Sequence, residues 1–188
     1  MTTVVLPPSL RLTGYAHQVV AKILGPGDTA VDATVGNGHD TCFLLDLVGP
    51  AGLVWGFDIQ ADALSRTSAR CGHHPGMKLI HDGHENLASW VTGPVRAIMF
   101  NLGYLPSGDK FRITRRDTTL QAITAALGLL ERGGIVTVLV YRGHSGGTEE
   151  AEAVEQKLES VVIPSSRLTK VVREAGGPES PYLLIWES

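Results

Sequence analysis

Short β-rich apolar runs alternate with helical patterns from about residue 29 to the end of the chain. This alternation is typical of βαβ units, in which crossover helices join parallel strands. The predicted strands lie near residues 29–34, 53–58, 77–81, 95–100, 134–141, 168–173 and 182–187. The predicted helices lie near residues 14–24, 39–48, 61–71, 84–91, 117–131 and 148–160. The sequence therefore predicts an α/β fold, with helices on both faces of a mostly parallel sheet.

The last two predicted strands are joined by a connection that is too short for a crossover helix. Only residues 175–181, rich in glycine and proline, separate them. Such a pair of strands is expected to form an antiparallel hairpin. The expected fold is thus Rossmann-like, with a seven-stranded sheet that contains one antiparallel strand.

Length and composition favour one folded domain over residues 1–188, because the chain has no internal repeat and no linker. No apolar run approaches the roughly 20 residues that span a bilayer. Residues 1–9 also lack the basic start and apolar middle of a signal peptide. We therefore expect a cytoplasmic protein that does not associate with membranes. In that compartment Cys42 and Cys71 are expected to stay reduced.

The overall charge is mildly unfavourable for binding a polyanion. The formal net charge is -3, whereas nucleic-acid-binding domains are usually basic. A local cluster can still contact several phosphates of an RNA. The candidate cluster is Lys110, Arg112, Arg115 and Arg116.

A glycine turn follows the first strand of the alternating region and is the best candidate for a cofactor site. Gly36 and Gly38 allow the backbone to approach a ligand, and Asp58 at the end of the next strand can accept hydrogen bonds from ribose hydroxyls. A nicotinamide cofactor and S-adenosylmethionine (SAM) both fit this pattern. Asp32 favours SAM, because a carboxylate there can organise the turn and the cofactor's ammonium group but repels a pyrophosphate. The third glycine of the dinucleotide fingerprint is also missing, since Thr41 stands in its place.

Asp82 ends the third strand of the same region. There a carboxylate can accept the exocyclic amino protons of an adenine. Alternatively, Asp82 caps the helix that is predicted to start at His84.

A polar, glycine-rich loop begins with Asn101 after the fourth strand. Methylation of an amine requires an unprotonated nitrogen lone pair that is aimed along the reaction axis. The Asn101 side-chain oxygen can accept the amine's protons, and Tyr104 can pack on a flat base. The loop resembles the Asn/Asp-Pro-Pro-Tyr loop of amino-group methyltransferases, with Leu102 and Gly103 in place of the prolines. A plain turn with Tyr104 in the core is the alternative.

Further polar residues are candidates with weaker support. Arg142 and His144 follow the fifth strand and could hold a phosphate or the substrate. His17, on the first helix, could cover the mouth of the cofactor site. No metal site is expected, because the spacing of the nearby ligand types matches no closed zinc site. These are Cys71, His73, His74, His81 and His84.

Three segments together resemble a known family. Residues 31–41 contain Gly-Asn-Gly-His-Asp-Thr, residues 100–106 contain Asn-Leu-Gly-Tyr-Leu-Pro, and residues 141–144 read Tyr-Arg-Gly-His. Their order and spacing resemble the bacterial family labelled "putative rRNA methylase", which has the class I SAM-dependent methyltransferase fold. Members are similar to a tRNA methyltransferase that converts 5-aminomethyl-(2-thio)uridine at the wobble position to its methylaminomethyl form. Ser107 and Arg142 depart from the Gly and Pro of many relatives.

The resemblance implies SAM as cofactor, the tRNA anticodon region as partner and a primary alkylamine as acceptor. An rRNA or small-molecule substrate is the alternative for a methyltransferase. A nicotinamide-dependent oxidoreductase is the alternative from a different class of enzyme. The sequence does not decide whether the protein forms a homodimer. The expected catalytic residues are Asn101, Tyr104 and His144. The expected cofactor-binding residues are Asp32, Gly36, Asn37, Gly38, Asp40, Thr41, Asp58, Gln60, Asp82, His84 and Asn101. The expected substrate-binding residues are Leu102, Gly103, Lys110, Arg115, Arg116 and Arg142.

Overall fold

Eight strands form one sheet in the computed structural model, which describes residues 1–103, 113–143, 145–177 and 179–188. The order across the sheet is β1-β7-β8-β6-β5-β2-β3-β4. The strands are β1 Thr2–Leu6, β2 Thr29–Asp32, β3 Leu53–Phe57, β4 Met77–Ile80, β5 Val95–Leu102, β6 Leu130–Val140, β7 Arg167–Arg173 and β8 Tyr182–Glu187. All seven predicted strands are present, and the Rossmann-like α/β fold is confirmed.

The predicted hairpin near the end of the chain is also confirmed. Strand β8 runs antiparallel to β7 and to β6, and the other five pairings in the sheet are parallel. The polar and glycine-rich connection gives β7 and β8 no room for a crossover, so the chain turns back directly.

The strand count was wrong by one, because β1 was not predicted. Strand β1 pairs in parallel with β7, for example Val4 with Val171. It forms the edge of the sheet, and of its five residues only Leu6 is fully buried. A strand with mostly exposed side chains lacks the alternation of apolar and polar residues by which strands are recognised.

Six α-helices connect the strands in the described part of the chain. They are α1 Leu12–Val20, α2 His39–Val48, α3 Ala61–Cys71, α4 Leu87–Trp90, α5 Arg116–Leu129 and α6 Gly147–Ser160. The segment predicted as one helix over 84–91 is a 3-10 turn, His84–Asn86, followed by the short α4. No helix in the described ranges has the length and apolar character needed to cross a bilayer.

Apolar cores cover both faces of the sheet. Neighbouring residues of β2 point to opposite faces, so that Ala30 packs with Val20 of α1 and Leu44 of α2, and Val31 packs with residues of α5 and α6. A strand that is buried on both faces reads as a continuous apolar run. This packing fixes the carboxyl ends of β2, β3 and β5 side by side at one edge.

The two cysteines form a disulfide, contrary to the expectation that they stay reduced. Cys42 lies on α2 and Cys71 ends α3, and their Cα atoms are 5.2 Å apart. This separation is within the range that a disulfide requires. The expectation rested on the redox state of the compartment, which carries no information about the distance between two helices.

Candidate active site

A cavity of about 810 Å³ opens at the carboxyl edge of the sheet. It collects side chains and loops that follow β2, β3, β4, β5 and β6, as expected for open α/β folds, in which ligands bind at this edge. Most of the predicted site residues line it: Gly36, Asn37, Asp40, Asp58, Gln60, Asp82, His84, Asn101, Leu102, Gly103, Arg115 and Arg142. Sequence positions spread over more than 100 residues thus meet in one pocket.

Asp58 ties the glycine turn to the end of β3. Its Oδ2 accepts a hydrogen bond from the Gly36 amide (2.9 Å), and its Oδ1 accepts one from the Gln60 amide (2.9 Å). Gly36 has φ 55, in the left-handed region that favours glycine. Each carboxylate oxygen has a second lone pair, and Asp58 lines the cavity. The carboxylate can therefore fix the turn and still accept hydroxyl protons from a ligand.

Asp32 lies beneath the turn and does not line the cavity. Its carboxylate is fully buried, and it accepts hydrogen bonds from the Thr41 hydroxyl (2.6 Å) and the Thr34 amide (3.2 Å). Burial, together with the nearby Asp40, raises the pKa of Asp32 to about 7. Asp32 and Thr41 therefore organise the turn from below. Their predicted direct contact with a cofactor does not fit this placement, because neither side chain reaches the cavity.

Gly38 also faces the protein rather than the cavity. It precedes α2 with φ 78, and a Cβ added there would lie 2.6 Å from the Thr67 hydroxyl oxygen of α3. Gly38 thus permits close packing of α3 against the turn. Its role in cofactor binding stays a prediction, which would have to involve the backbone of the turn.

Asp82 is held by three donors while it lines the cavity. Its Oδ1 accepts from the Gly83 amide (2.8 Å) and from Asn86 Nδ2 (2.9 Å), and its Oδ2 accepts from Trp90 Nε1 (2.9 Å). The hydrogen bond from Trp90, followed by that from Asn86, lowers the pKa of the carboxyl. Asp82 is thus linked to side chains of the following 3-10 turn and of α4, and it lines the pocket. It does not cap the turn, because Gly83 is the N-cap residue and no side-chain cap hydrogen bond is formed.

His84 also lines the cavity, although its side chain is largely buried. Burial lowers the pKa of its imidazole, so the ring is neutral at pH 7. The ring packs edge-on against Phe100, with centroids 5.9 Å apart. His84 can offer a neutral polar surface to a ligand in the cavity.

Asn101 is oriented by two neighbours. Its backbone amide donates to the Thr34 hydroxyl (2.7 Å), and its Nδ2 donates to Asp40 Oδ2 (2.7 Å). A carboxylate can only accept, so the amino group of Asn101 must face Asp40 and the carbonyl oxygen Oδ1 must point elsewhere. Thr34 was missed from the sequence, because a threonine after a strand carries no signal of its own.

The buried carboxylate of Glu150 helps to link the two ends of the segment that follows Asn101. The Gly103 amide donates to the Thr114 hydroxyl (2.9 Å), and this hydroxyl donates to Glu150 Oε2 (2.8 Å). The Thr119 hydroxyl donates to Glu150 Oε1 (2.6 Å). Gly103 and Thr114 are thereby held together at the two ends of the intervening segment.

Four predicted residues lie outside the described residues, so their roles stay predictions: Tyr104, Lys110, Arg112 and His144. Of the arginines, Arg115 lines the cavity, and Arg142 lines it with its guanidinium 4.9 Å from the centre of the Tyr182 ring. Arg116 is exposed and pairs with Asp117 (3.3 Å). Tyr141 lines the cavity as well and was not predicted, although its place at the end of β6 was a usable signal.

The described residues offer no metal centre, since no three His, Cys, Asp or Glu side chains converge as a metal ion would require. The polar groups that line the cavity are instead hydrogen-bond donors and acceptors. Acidic and amide side chains predominate near the glycine turn. Apolar residues in the same wall, Phe57, Ile59 and Leu102, can cover a purine.

Comparison with known proteins identifies relatives of the chain. A tRNA (mnm(5)s(2)U34)-methyltransferase, chloroplastic, from Arabidopsis thaliana is 42% identical over 158 residues, which are 77% of this chain and 58% of that protein. The chain thus spans just over half the length of that relative. A "putative rRNA-methylase" structure from Clostridium thermocellum is 41% identical with a TM-score of 0.90, covering 95% of this chain and 97% of that one. A Streptococcus mutans methyltransferase structure in complex with S-adenosylhomocysteine (SAH) is 34% identical with a TM-score of 0.82, covering 95% and 98%.

The sheet order, the glycine turn and the acid that ends β3 define a SAM-dependent methyltransferase. The class contains many families. The sequence model described as "Putative rRNA methylase" matches residues 54–187, and the chain belongs to this family.

Proposed function

We propose that the chain transfers a methyl group from SAM to the primary amine of 5-aminomethyl-(2-thio)uridine at the wobble position of tRNA. The name of the Arabidopsis relative supports this substrate. The observation that carries the proposal is the orientation of Asn101, whose amino group is bound to Asp40, so that its oxygen would be available to the substrate amine. An enzyme that methylates an amine needs such an acceptor beside the methyl donor.

The residues around the glycine turn fit SAM. Asp58 would accept hydrogen bonds from the ribose hydroxyls, and Gly36 lets the backbone approach the ligand without a side chain in the way. Asn37 and Gln60 would contact the same half of the cofactor. Asp82 and His84 line the same cavity and would contact the purine. Bound SAM supplies an electrophilic methyl group on a sulfonium.

The chain's own contribution to the reaction is to present the amine. A free alkylamine has a pKa of about 10, so it must lose a proton before its lone pair can attack. Asn101 Oδ1 would accept one N–H of the neutral amine and hold the nitrogen on the reaction axis. Leu102 and Gly103 follow at the same edge and would contact the base. Tyr104 and His144 are proposed to complete this side of the site.

Cationic residues at the cavity mouth suit an RNA substrate. Arg115 and Arg142 line the cavity, and the exposed Arg116 follows Arg115 in the sequence. Phosphates are bound by such guanidinium groups even when the net charge of a protein is negative. We propose that they and Lys110 contact the anticodon region of tRNA.

Mass spectrometry of nucleosides tests the substrate. Bulk tRNA from cells that lack this protein would be incubated with purified protein and SAM. We expect the aminomethyl nucleoside to decrease and the methylaminomethyl nucleoside to increase in equal amount. An unchanged tRNA with methylation of added rRNA or of a small molecule would contradict the proposal while leaving the methyltransferase class intact.

Replacement of Asn101 tests its role in presenting the amine. Asn101→Ala should lower turnover by roughly 100-fold or more, as loss of a transition-state contact does, and should leave SAH affinity within about threefold. Gln156→Ala is the matched control, because it removes an exposed side-chain amide of α6 outside the cavity. An equal loss of turnover and SAH affinity would instead place Asn101 in the cofactor pocket.

A further inference from the structure

A side chain outside the cavity is hydrogen-bonded to the carboxylate that orients Asn101. His17 of α1 does not line the cavity, yet its Nε2 lies 2.6 Å from Asp40 Oδ1. The other oxygen of Asp40 accepts the hydrogen bond from Asn101 Nδ2. The order of contacts is therefore His17, Asp40, Asn101 and then the cavity.

Asp40 is held rigidly in this position. Its side chain is only 11% exposed, at the first turn of α2, where a negative charge is favoured by the helix dipole. Burial raises the pKa of Asp40, but the hydrogen bonds from His17 and Asn101 outweigh burial, so the pKa lies below its ordinary value. An ionised carboxylate accepts from both neighbours, and His17 Nε2 is then the donor.

The ring of His17 is itself fixed. It stacks on Phe43 with centroids 3.8 Å apart and an angle of 4° between the planes. Phe43 lies three residues after Asp40 on α2, so one turn of that helix both supports the imidazole and supplies its acceptor. This arrangement leaves His17 little freedom to turn Nε2 away from Asp40.

We propose that His17 is a positioning residue for methyl transfer, which holds Asp40 so that Asn101 directs its carbonyl oxygen at the substrate amine. The inference rests on the proposed role of Asn101. Without the bond from His17, the Asp40 carboxylate can rotate its Oδ2 away from Asn101 Nδ2, and the Asn101 amide then loses the acceptor that fixes its orientation. A reversed amide would present its amino group to the substrate amine, and two donors would face each other. His17 thus acts on turnover through Asp40 and touches neither cofactor nor substrate.

Two replacements separate the hydrogen bond from the packing. His17→Phe keeps an aromatic ring that can stack on Phe43 but removes the donor. His17→Gln loses the stack but can place a donor near Asp40. We expect His17→Phe to lower kcat about tenfold with KM for tRNA and the SAH dissociation constant unchanged within threefold, and His17→Gln to recover most of the kcat. His73→Phe is the control, because His73 is exposed and outside the cavity.

A spectroscopic measurement tests the same link without activity. In ¹H–¹⁵N spectra of the SAH-bound protein, the side-chain amide pair of Asn101 is identified by its absence in Asn101→Ala. We expect this pair to shift in His17→Phe, to return towards its original position in His17→Gln and to stay in place in His73→Phe. An unmoved pair with unchanged kcat in His17→Phe overturns the inference, as does a fall in kcat that follows melting temperature alone. If the unaltered enzyme methylates no tRNA, the proposed function fails, and the amide signals still decide whether His17 orients Asn101.

Discussion

Two carboxylates contact the glycine turn. They differ in burial, and this difference determines what each one can do. Asp58 reaches the cavity and fixes the turn from the front, through the Gly36 amide. Asp32 is fully buried and fixes it from behind, through Thr34 and Thr41. The front acid can contact a ligand, whereas the rear acid affects the stability of the fold.

The buried acid predicts a pH dependence of stability. The pKa of Asp32 rises from 3.8 to about 7 on folding, so the folded chain binds a proton that the unfolded chain lacks between these pH values. The stabilisation that results from this proton uptake is fully present below about pH 4 and is lost as the pH rises through 7. Asp32→Asn should therefore gain stability relative to the unaltered chain from pH 4 to 7, by up to about 4 kcal/mol.

Urea unfolding at several pH values measures this effect. Asp62→Asn, at an exposed position on α3, is the control and should follow the curve of the unaltered protein. Parallel curves for Asp32→Asn and the unaltered protein would show that the carboxyl of Asp32 is not protonated on folding.

For individual residues, the sequence patterns predicted which side chains line the cavity better than they predicted what each side chain does. Residue type and position after a strand were enough to bring Asp58, Asp82 and Asn101 to one cavity. Residue type and position did not show which of the two acids near the turn, Asp32 or Asp58, lines the cavity. Only burial distinguishes them. The hydrogen bond from His17 to Asp40 spans 23 residues and depends on how α1 packs on α2, which no local pattern encodes.

Helices α2 and α3 are joined beside the glycine turn. The disulfide links Cys42 with Cys71, and the neighbouring Arg70 Nε donates to the Asn37 carbonyl oxygen (2.7 Å). Both contacts hold the end of α3 against the segment that would carry the cofactor.

Removal of the disulfide should lower stability. The two cysteines are 29 residues apart, and loop-closure entropy for such a ring gives about 3 to 4 kcal/mol. We expect the double variant Cys42→Ser, Cys71→Ser to melt at a lower temperature than the unaltered protein. Reductant should lower the melting temperature of the unaltered protein alone. If reductant has no effect on either protein, the bridge does not form in solution.

At the scale of elements, strands buried on both faces were predicted well, because their apolar runs are continuous and bounded by turns. The edge strand β1 was missed, since its stability comes from pairing with β7 rather than from its own pattern. The helix α5 buries Thr119, Ala122, Ile123 and Ala126. Small side chains on this face let α5 pack closely on its neighbours, which hydrophobicity alone does not reveal.

For the molecule as a whole, the order of strands decides where the site lies. From β2 the chain proceeds outwards through β3 and β4, then returns to β5 on the other side of β2. Ligands of open α/β sheets bind where the order reverses in this way. The turn after β2 and Asn101, near the end of β5, meet at that point, so a methyl donor on one and an amine on the other would be neighbours.

Calorimetric titration with SAH tests whether the turn held by Asp58 binds the cofactor. We predict that the unaltered protein and the Asp62→Ala control bind SAH equally well and that NAD does not bind. Asp58→Ala should weaken SAH binding at least about tenfold, since hydrogen bonds to a charged acceptor contribute roughly 1.5 to 3 kcal/mol. Absence of SAH binding to the unaltered protein, or equal affinity in Asp58→Ala, would contradict the account.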